Sequence, residues 1–402
     1  MSLLRDHINY FIKSNKQNAL GRAGDFGGSL PGTRKINQLY GTTFGCWAYA
    51  GNLKPQRSGS MISFDSLPME KQRQSLTRLG RTVMLHYGLG NSKIKFHSYS
   101  ENIVLRVDSK KSVKGCHIFS LRIYNLSFTE AEIEASTKWM QTLCQHTEVT
   151  APEPIPTRSG QLIVRETMPD TNEQRLCVLF QWLDGECIDE EMKPLHLRKV
   201  GQMTARMHGF SASQGRASAN GLPKMEWNAR LAAIGGGNGL MPHWVDQPDT
   251  FFTKEESRII DRTAQKALAA IQSFDKGNEY GVIHGDLHQW NYMFHQEEVR
   301  VFDFDDSCFS SFVYDMAVTL WYLNHFVSFH RDYQEKVDAY LEGYQEIRGV
   351  PSGFDEQLGA YTIARHMQMM CWVLGWPRSD HIVPAQPFLR NTVQVFNAYL
   401  NG

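Results

Sequence analysis

One stretch of the sequence, VIHGDLHQWN at residues 282–291, joins an apolar run to a dense group of polar side chains. It contains two histidines together with Asp286 and Asn291, which are separated by four residues. A second apolar run, VRVFDF, follows closely and ends near Asp303. Short apolar runs that lead into polar groups predict two neighbouring strands with functional loops at their ends. Any fold of this chain therefore has to bury the two strands and bring their loops together at one polar site.

The overall composition is that of an ordinary globular protein. The chain has 402 residues, and its 42 Lys and Arg residues are balanced by 42 Asp and Glu residues. This balance argues against a nucleic acid or a membrane surface as the main partner. Seven cysteines without a Cys-x-x-Cys pair favour reduced thiols over a disulfide framework or a zinc site. Without a signal-peptide core or a run of ~20 apolar residues, we expect a cytoplasmic protein.

Apolar spacing divides the chain into three parts. Residues 1–61 are rich in Gly and Ser without sustained periodicity, and we expect a loosely structured extension. Residues 62–181 alternate helical and strand patterns, including a helix that Thr129 and Glu132 open as a capping box. This order predicts a small lobe with an antiparallel sheet and a helix. Residues 182–402, apart from one short strand pair, carry helical spacing and predict a larger helical lobe. The predicted class is α+β with two lobes, and the predicted small-lobe strands are 102–107, 117–124, 161–166 and 176–182.

Several ordered motifs together resemble one family. They are IHGDLHQWN, VFDFDD and YDMA, supported upstream by FSLRIY, LFQWLDGE and GQMTARMHGF. This set resembles the aminoglycoside phosphotransferase and homoserine kinase family, also called the phosphotransferase enzyme family, near its stress-response kinase branch. The resemblance covers about residues 62–400 and implies the bilobal protein-kinase-like fold. It also implies that ATP and Mg²⁺ are used to phosphorylate a hydroxyl group of a small-molecule acceptor.

The resemblance assigns roles to individual positions. Asp286 corresponds to the catalytic base, and Asn291 and Asp303 correspond to the Mg²⁺ ligands. Arg122 stands where protein kinases place a lysine, and its guanidinium can clamp two phosphate oxygens. Asp315, in YDMA, corresponds to an aspartate that supports the catalytic loop.

Two further segments supply the expected nucleotide contacts. SYSENIVLRV, residues 98–107, occupies the position of the nucleotide loop and offers Ser100 and Asn102. LFQWLDGE corresponds to the hinge between the lobes and offers Phe180 and Trp182. We therefore expect these four residues to bind the nucleotide.

One position departs from the family pattern. The small-lobe helix of the family normally offers a glutamate to the phosphate-binding cation, whereas this sequence has Ser136 there. Glu132 belongs to the helix cap, and Glu134 points ~160–200° away on the helix. Either the pairing residue comes from elsewhere, or the active conformation is held differently.

Alternative functions remain open at this stage. A Ser/Thr protein kinase of the stress-response type changes the acceptor, and a nucleotide-binding pseudokinase that regulates a partner would fit the absent helix glutamate. A metal hydrolase built on His284, Asp286 and His288 is disfavoured because it leaves Asn291 and Asp303 without a role. The sequence carries no signature of the oligomeric state.

The acceptor side of the site is less defined. Asp305 and Asp306 are expected to cap the following turn, or alternatively to bind a second Mg²⁺ or a cationic acceptor. Arg365 and Trp372, on a predicted helix at 364–376, are candidate acceptor contacts.

Overall fold

The computed structural model describes most of the chain beyond residue 63. The described ranges are 64–99, 102–188, 192–215, 221–222, 251–274, 279–325, 332–375 and 385–402. The predicted extension at 1–61 and the candidate nucleotide contact Ser100 lie outside the described residues.

The small lobe is an antiparallel sheet with a helix on each face. Its strands are ordered β1-β2-β3-β5-β4, and each neighbouring pair is antiparallel. Its elements are α1 (Met69–His86), β1 (Lys93–Tyr99), β2 (Ile103–Val113), β3 (Cys116–Ile123), α2 (Glu130–His146), β4 (Ile163–Thr167) and β5 (Gln174–Gln181).

Alternation along β5 explains how the sheet uses both faces. Cys177 and Leu179 pack in one apolar cluster with α1, whereas Val178 and Phe180 pack in a second cluster with α2. Successive side chains of a strand point to opposite faces, so α1 and α2 cover opposite sides of the sheet. β3 follows the same rule, and Arg122 therefore lies on the α2 side, next to the cleft between the lobes.

The hairpin between β2 and β3 is longer than its sequence pattern predicts. The predicted strands 102–107 and 117–124 leave the polar segment DSKKSVKG between them, but β2 continues to Val113 and β3 begins at Cys116, with an irregular register between Asp108 and Val113. The turn consists of Lys114 and Gly115, whose φ angles are 50° and 80°. Two residues with positive φ match the twist of the flanking strands, which allows the exposed polar residues to remain in the hairpin.

The large lobe is mainly helical. Its elements are α3 (Pro194–Gln214), α4 (Lys254–Ser273), β6 (Tyr280–Ile283), β7 (Tyr292–His295), β8 (Glu298–Val301), β9 (Cys308–Ser311), α5 (Phe312–His325), α6 (Tyr333–Ile347), α7 (Phe354–Gly375) and α8 (Ala385–Asn401). The sequence predicted one strand pair in this lobe, whereas β6 pairs with β9 and β7 pairs with β8. α3 begins at Pro194, because proline favours the first position of a helix.

α3 and α6 pack with their backbones almost in contact. A Cβ atom added to Gly201 would lie 2.0 Å from the carbonyl oxygen of Tyr340, and one added to Gly343 would lie 1.9 Å from that of Arg198. Both glycines are therefore required by the close approach of the two helices.

None of the helices in the described ranges is both long enough and apolar enough to cross a membrane.

Candidate active site

The loop between β6 and β7 is shaped by one glycine. Gly285 has a φ of 84°, and a Cβ atom at this position would lie 2.3 Å from the carbonyl oxygen of Asp306. A side chain is excluded both by backbone conformation and by space. Gly285 therefore allows the catalytic loop and the loop that follows β8 to touch.

Asp315, at the start of α5, fixes the backbone of this loop. Its carboxylate accepts hydrogen bonds from the backbone N–H groups of His284 at 3.1 Å and Gly285 at 2.9 Å. It also bonds to His208 Nε2 at 3.1 Å. Burial alone would raise the pKa of Asp315, but these hydrogen bonds hold it below its usual value. The support that the resemblance implies for Asp315 is present in the structure.

Both carboxylate oxygens of Asp286 are engaged. Oδ2 lies 3.2 Å from His288 Nε2 and 3.2 Å from Asn291 Nδ2, and Oδ1 is paired with the guanidinium of Arg365. The side chain of Asp286 is 2% exposed. The predicted base is thus a buried carboxylate held on both sides.

The histidines of the loop are used for hydrogen bonding. Nδ1 of His284 accepts from the backbone N–H of Asp286, and its Nε2 lies 3.1 Å from the carbonyl oxygen of Phe302. Nδ1 of His288 accepts from the backbone N–H of Trp290. Within the described part of the chain, no group of three or more His, Cys, Asp or Glu side chains is placed to hold a metal ion. The ring nitrogens of His284 and Nδ1 of His288 are thus engaged with the backbone around the loop.

Asn291 and Asp303 present two oxygens suited to a divalent cation. Among the described residues, Asn291 Oδ1 and Asp303 Oδ2 are buried and have no hydrogen-bond partner. Asn291 donates its Nδ2 to the carbonyl oxygen of Asp286 at 2.9 Å, which leaves Oδ1 available. Buried oxygens without partners are costly, and carboxylate and amide oxygens are ordinary Mg²⁺ ligands. The two side chains fit the predicted metal.

The backbone at Asp303 differs from the predicted strand end. β8 ends at Val301, and Asp303 has left-handed angles, with φ 70° and ψ 64°. Such a conformation is uncommon for residues other than glycine and is found where a side chain must be aimed.

Arg122 is paired across the cleft with two carboxylates of the large lobe. Its Nη2 lies 2.7 Å from Asp303 Oδ1 and 2.5 Å from Asp305 Oδ2. The side chain of Arg122 is 11% exposed. Burial raises the pKa of Asp305 to about 7, although Arg122 opposes that rise. Asp305 is thus an arginine partner, which differs from the capping and metal-binding roles expected for it.

Ser136 occupies the position on α2 where the family has a glutamate. Ser136 is buried and donates its Oγ to the carbonyl oxygen of Ile133, so α2 offers no carboxylate at this position. The pairing residues of Arg122 come from the loop after β8 instead. Asn102 supports the same arrangement, because its Nδ2 donates to Asp305 at 2.6 Å.

A cleft lies between the two lobes. Phe180, Trp182 and Arg122, for which the sequence predicts nucleotide contacts, line it together with Asp303. Its other lining residues include Val104, Ser136, Met140, Leu183, Met293, Phe302 and Asp305.

The predicted acceptor contacts Arg365 and Trp372 both lie on α7. The sequence suggested Arg365 as an acceptor contact, and the structure places it directly on Asp286. Asp306 is 4% exposed, and burial raises its pKa to about 8 against the opposing effect of Arg365. Sequence reasoning did not foresee the Arg365–Asp286 pair, since these residues are 79 positions apart.

Comparisons with known proteins place this geometry in context. The profile of the phosphotransferase enzyme family matches residues 100–350, more than half of the chain. An uncharacterized protein of Deinococcus radiodurans is 25% identical over 326 residues, which cover 80% of this chain and 89% of the relative. Amicoumacin kinase of Bacillus subtilis is 21% identical over 248 residues, covering 59% of this chain and 66% of that kinase.

A solved structure supports the predicted fold. A microcompartment-associated aminopropanol kinase superposes with a TM-score of 0.67 at 22% identity, covering 81% of this chain and 98% of that chain. At this level of identity the likeness concerns the fold. The prediction of a bilobal, kinase-like α+β fold is confirmed.

Proposed function

Because the chain belongs to the phosphotransferase enzyme family, we propose that it transfers the γ-phosphate of ATP, with Mg²⁺, to a hydroxyl group of a small-molecule acceptor. One observation carries the proposal. Asp286 lies 3.2 Å from the amide of Asn291, and Asn291 and Asp303 each have a buried oxygen without a partner among the described residues. Arg122 reaches the same group of side chains from the small lobe.

Asp286 acts on the acceptor in this proposal. The acceptor oxygen forms a bond to the γ-phosphorus, and the bond from that phosphorus to the bridging oxygen breaks, with its electron pair leaving on ADP. Asp286 orients the hydroxyl group and takes up its proton. Asp315 holds the backbone of the loop that carries Asp286, so the loop is in position before the acceptor binds.

The remaining side chains position the nucleotide. Asn291 and Asp303 would hold Mg²⁺, which supplies positive charge against the phosphate oxygens. Arg122 binds phosphate oxygens with its planar guanidinium. Phe180 and Trp182, which line the cleft, pack against the nucleotide base.

A small-molecule acceptor has more support than the alternatives. The named relatives are kinases of amicoumacin and of aminopropanol, both small molecules. A pseudokinase was favoured by the lack of a glutamate at Ser136, but Arg122 has Asp303 and Asp305 as partners. That feature therefore no longer argues against catalysis.

ADP release tests the proposed reaction. Purified protein is incubated with Mg-ATP and pooled small hydroxyl metabolites, beside the variant Asp286→Asn and the control Asp261→Asn on α4. Loss of the base is expected to lower pool-dependent turnover by roughly 100-fold or more, while the control keeps it. Equal turnover in Asp286→Asn would refute the role of Asp286. ATP binding without ADP release from any pool would refute the small-molecule reaction.

A further inference from the structure

Arg365 places a buried positive charge directly on the proposed catalytic base. It lies on α7, its Nη2 contacts Asp286 Oδ1, and the same nitrogen donates to the hydroxyl of Tyr322 at 3.0 Å. The guanidinium also lies over the Tyr322 ring, 5.2 Å from its centroid. Its side chain is 7% exposed. A buried cation at this point must influence which acceptor can approach Asp286.

The guanidinium has hydrogen-bonding capacity to spare. An arginine has five N–H donors. Within the described chain, Arg365 Nε is buried without a hydrogen-bond partner, and Nη1 reaches Gln368 Oε1 at 3.5 Å, a long contact. Buried donors without partners are unfavourable unless a ligand satisfies them. The free donors belong to the group that already touches Asp286.

Arg365 is separate from the cleft that the nucleotide is proposed to occupy. That cleft is lined by Arg122, Asp303 and Asp305, and Arg365 does not line it. Arg365 instead contacts the carboxylate of Asp286 and the hydroxyl of Tyr322. Its position therefore suits a group on the acceptor better than a phosphate of the nucleotide.

The local charges select among acceptors. A carboxylate that approached Asp286 would be repelled unless a cation lay beside it, and Arg365 supplies that cation. The planar fork of arginine also matches a carboxylate in geometry. An amino alcohol gains nothing from this group, because its ammonium is repelled by the guanidinium. The arrangement thus favours an acceptor with an anionic group.

We propose that Arg365 binds a carboxylate of the acceptor, so that the substrate is a small hydroxy acid with its hydroxyl group at Asp286. This proposal rests on the proposed function. Because Arg365 and Asp286 are in direct contact, the hydroxyl and the carboxylate of the acceptor are separated by a few bonds. An additional amino group is compatible with the site but is not what Arg365 recognises.

Matched acceptor pairs test the proposal with the full chain and Mg-ATP. The pairs are 4-hydroxybutanoate with propan-1-ol, L-homoserine with 3-aminopropan-1-ol, and glycerate with ethylene glycol. The members of each pair differ by a carboxylate. Measured by ADP release, kcat/KM is expected to be at least about tenfold higher for the carboxylated member of each pair. Equal or faster turnover of the uncharged or amino alcohols would overturn the proposal.

Variants of Arg365 identify the group that recognises the carboxylate. Arg365→Met is expected to raise KM for the carboxylated acceptor by more than about tenfold and to leave KM for ATP within about twofold. Arg390→Met on α8 is the exposed control. If Arg365→Met fails to fold, Arg365→Lys keeps the charge and removes the planar fork. A rise in KM for ATP, or equal losses for both members of a pair, would place Arg365 on the phosphates or on Asp286 and refute its role as a carboxylate anchor.

Calorimetric titration separates this proposal from the proposed function. The three carboxylates are titrated into the protein with a non-hydrolysable ATP analogue and Mg²⁺. Binding that Arg365→Met abolishes, without ADP release, would keep the carboxylate site and refute the phosphotransfer. ADP release with alcohols alone would keep the phosphotransfer and refute the carboxylate site. Absence of both turnover and binding for every carboxylate would also refute the site.

Discussion

The carboxylate partners of Arg122 lie in the large lobe and not on the small-lobe helix α2. Asp303 and Asp305 both come from the loop after β8 in the large lobe, and Asp305 also accepts from Asn102. This short loop therefore contains the proposed metal ligand Asp303, and it also forms ion pairs with Arg122, the cation expected to bind phosphate. Asp305 is a positioning residue for Arg122, in place of a glutamate on α2.

Removing the carboxylate of Asp305, and then adding one at position 136, tests the role of Asp305. Asp305→Asn removes one partner of Arg122 and is expected to raise KM for ATP by about tenfold, with a smaller effect on kcat. Ser136 lines the same cleft, so Ser136→Glu in the Asp305→Asn background is expected to restore part of the loss. Steady-state kinetics with varied ATP measures both changes.

The matched control is Ser136→Gln in the Asp305→Asn background, which adds a side chain of similar size without the charge. Recovery with glutamine as large as that with glutamate would argue for packing rather than ion pairing. An unchanged KM in Asp305→Asn would show that Asp303 alone positions Arg122.

Site residues that lie close together in the sequence could be predicted, whereas contacts between distant positions could not. Asp286, Asn291 and Asp303 could be predicted as site residues because their spacing is local and the chemistry requires those groups. The partners of Asp305 and Asp286 were missed, because Asn102 is 203 positions from Asp305 and Arg365 is 79 positions from Asp286. Pairs of this kind arise from packing, and no local pattern announces them.

At the scale of elements, the packing of α3 against α6 positions the aspartate that holds the loop of Asp286. α3 carries His208, which bonds to Asp315 at 3.1 Å and to Tyr344 of α6 at 2.9 Å. The glycine contact at Gly201 allows the two helices to come close enough for these bonds. The position of the catalytic loop thus depends on a contact between two helices that lie outside the nucleotide cleft.

Two alanine substitutions on α3 test this dependence. Gly201→Ala adds a methyl group against the backbone of Tyr340 and is expected to cost about 1–3 kcal/mol of unfolding free energy. Gly209→Ala places its methyl group in open space and is expected to be neutral or stabilising by up to about 1 kcal/mol. Urea unfolding monitored by circular dichroism measures the difference. Equal stability of the two variants would contradict the close packing.

Elements with local start signals were the predictable ones. α2 begins with the capping box of Thr129 and Glu132, as the sequence indicated, and α3 begins at the proline at position 194. β1 was missed because Lys93–Tyr99 is largely exposed and has no sustained apolar run. Its pairing with β2 makes it a strand, and that pairing is a property of the sheet.

At the scale of the whole molecule, one apolar cluster extends across both lobes. It contains Trp139 and Met140 of α2, Val178 of β5, and Leu197 and Val200 of α3. The proposed division between residues 181 and 182 therefore falls beside a shared core. Lobes that share a core are expected to lose their structure together.

Equilibrium unfolding tests this cooperativity. Urea transitions followed by tryptophan fluorescence and by far-ultraviolet circular dichroism are expected to coincide. Trp139 of the small lobe and Trp290, Trp321 and Trp372 of the large lobe all pack in or against the shared cluster. Addition of a non-hydrolysable ATP analogue with Mg²⁺ is expected to shift both midpoints equally. Two separated transitions would show that the small lobe unfolds on its own.

The ion pair between Asp286 and Arg365 has a further consequence when nucleotide is bound and the acceptor is absent. Water is the most abundant hydroxyl compound around any enzyme, and an accessible carboxylate here would activate it towards ATP. In the structure, one oxygen of Asp286 faces Arg365 and the other faces His288 and Asn291. On the proposed function, water lacks the charge to draw the guanidinium away, whereas a carboxylated acceptor has it. The resting ion pair would thus suppress futile hydrolysis and couple ATP consumption to arrival of the correct substrate.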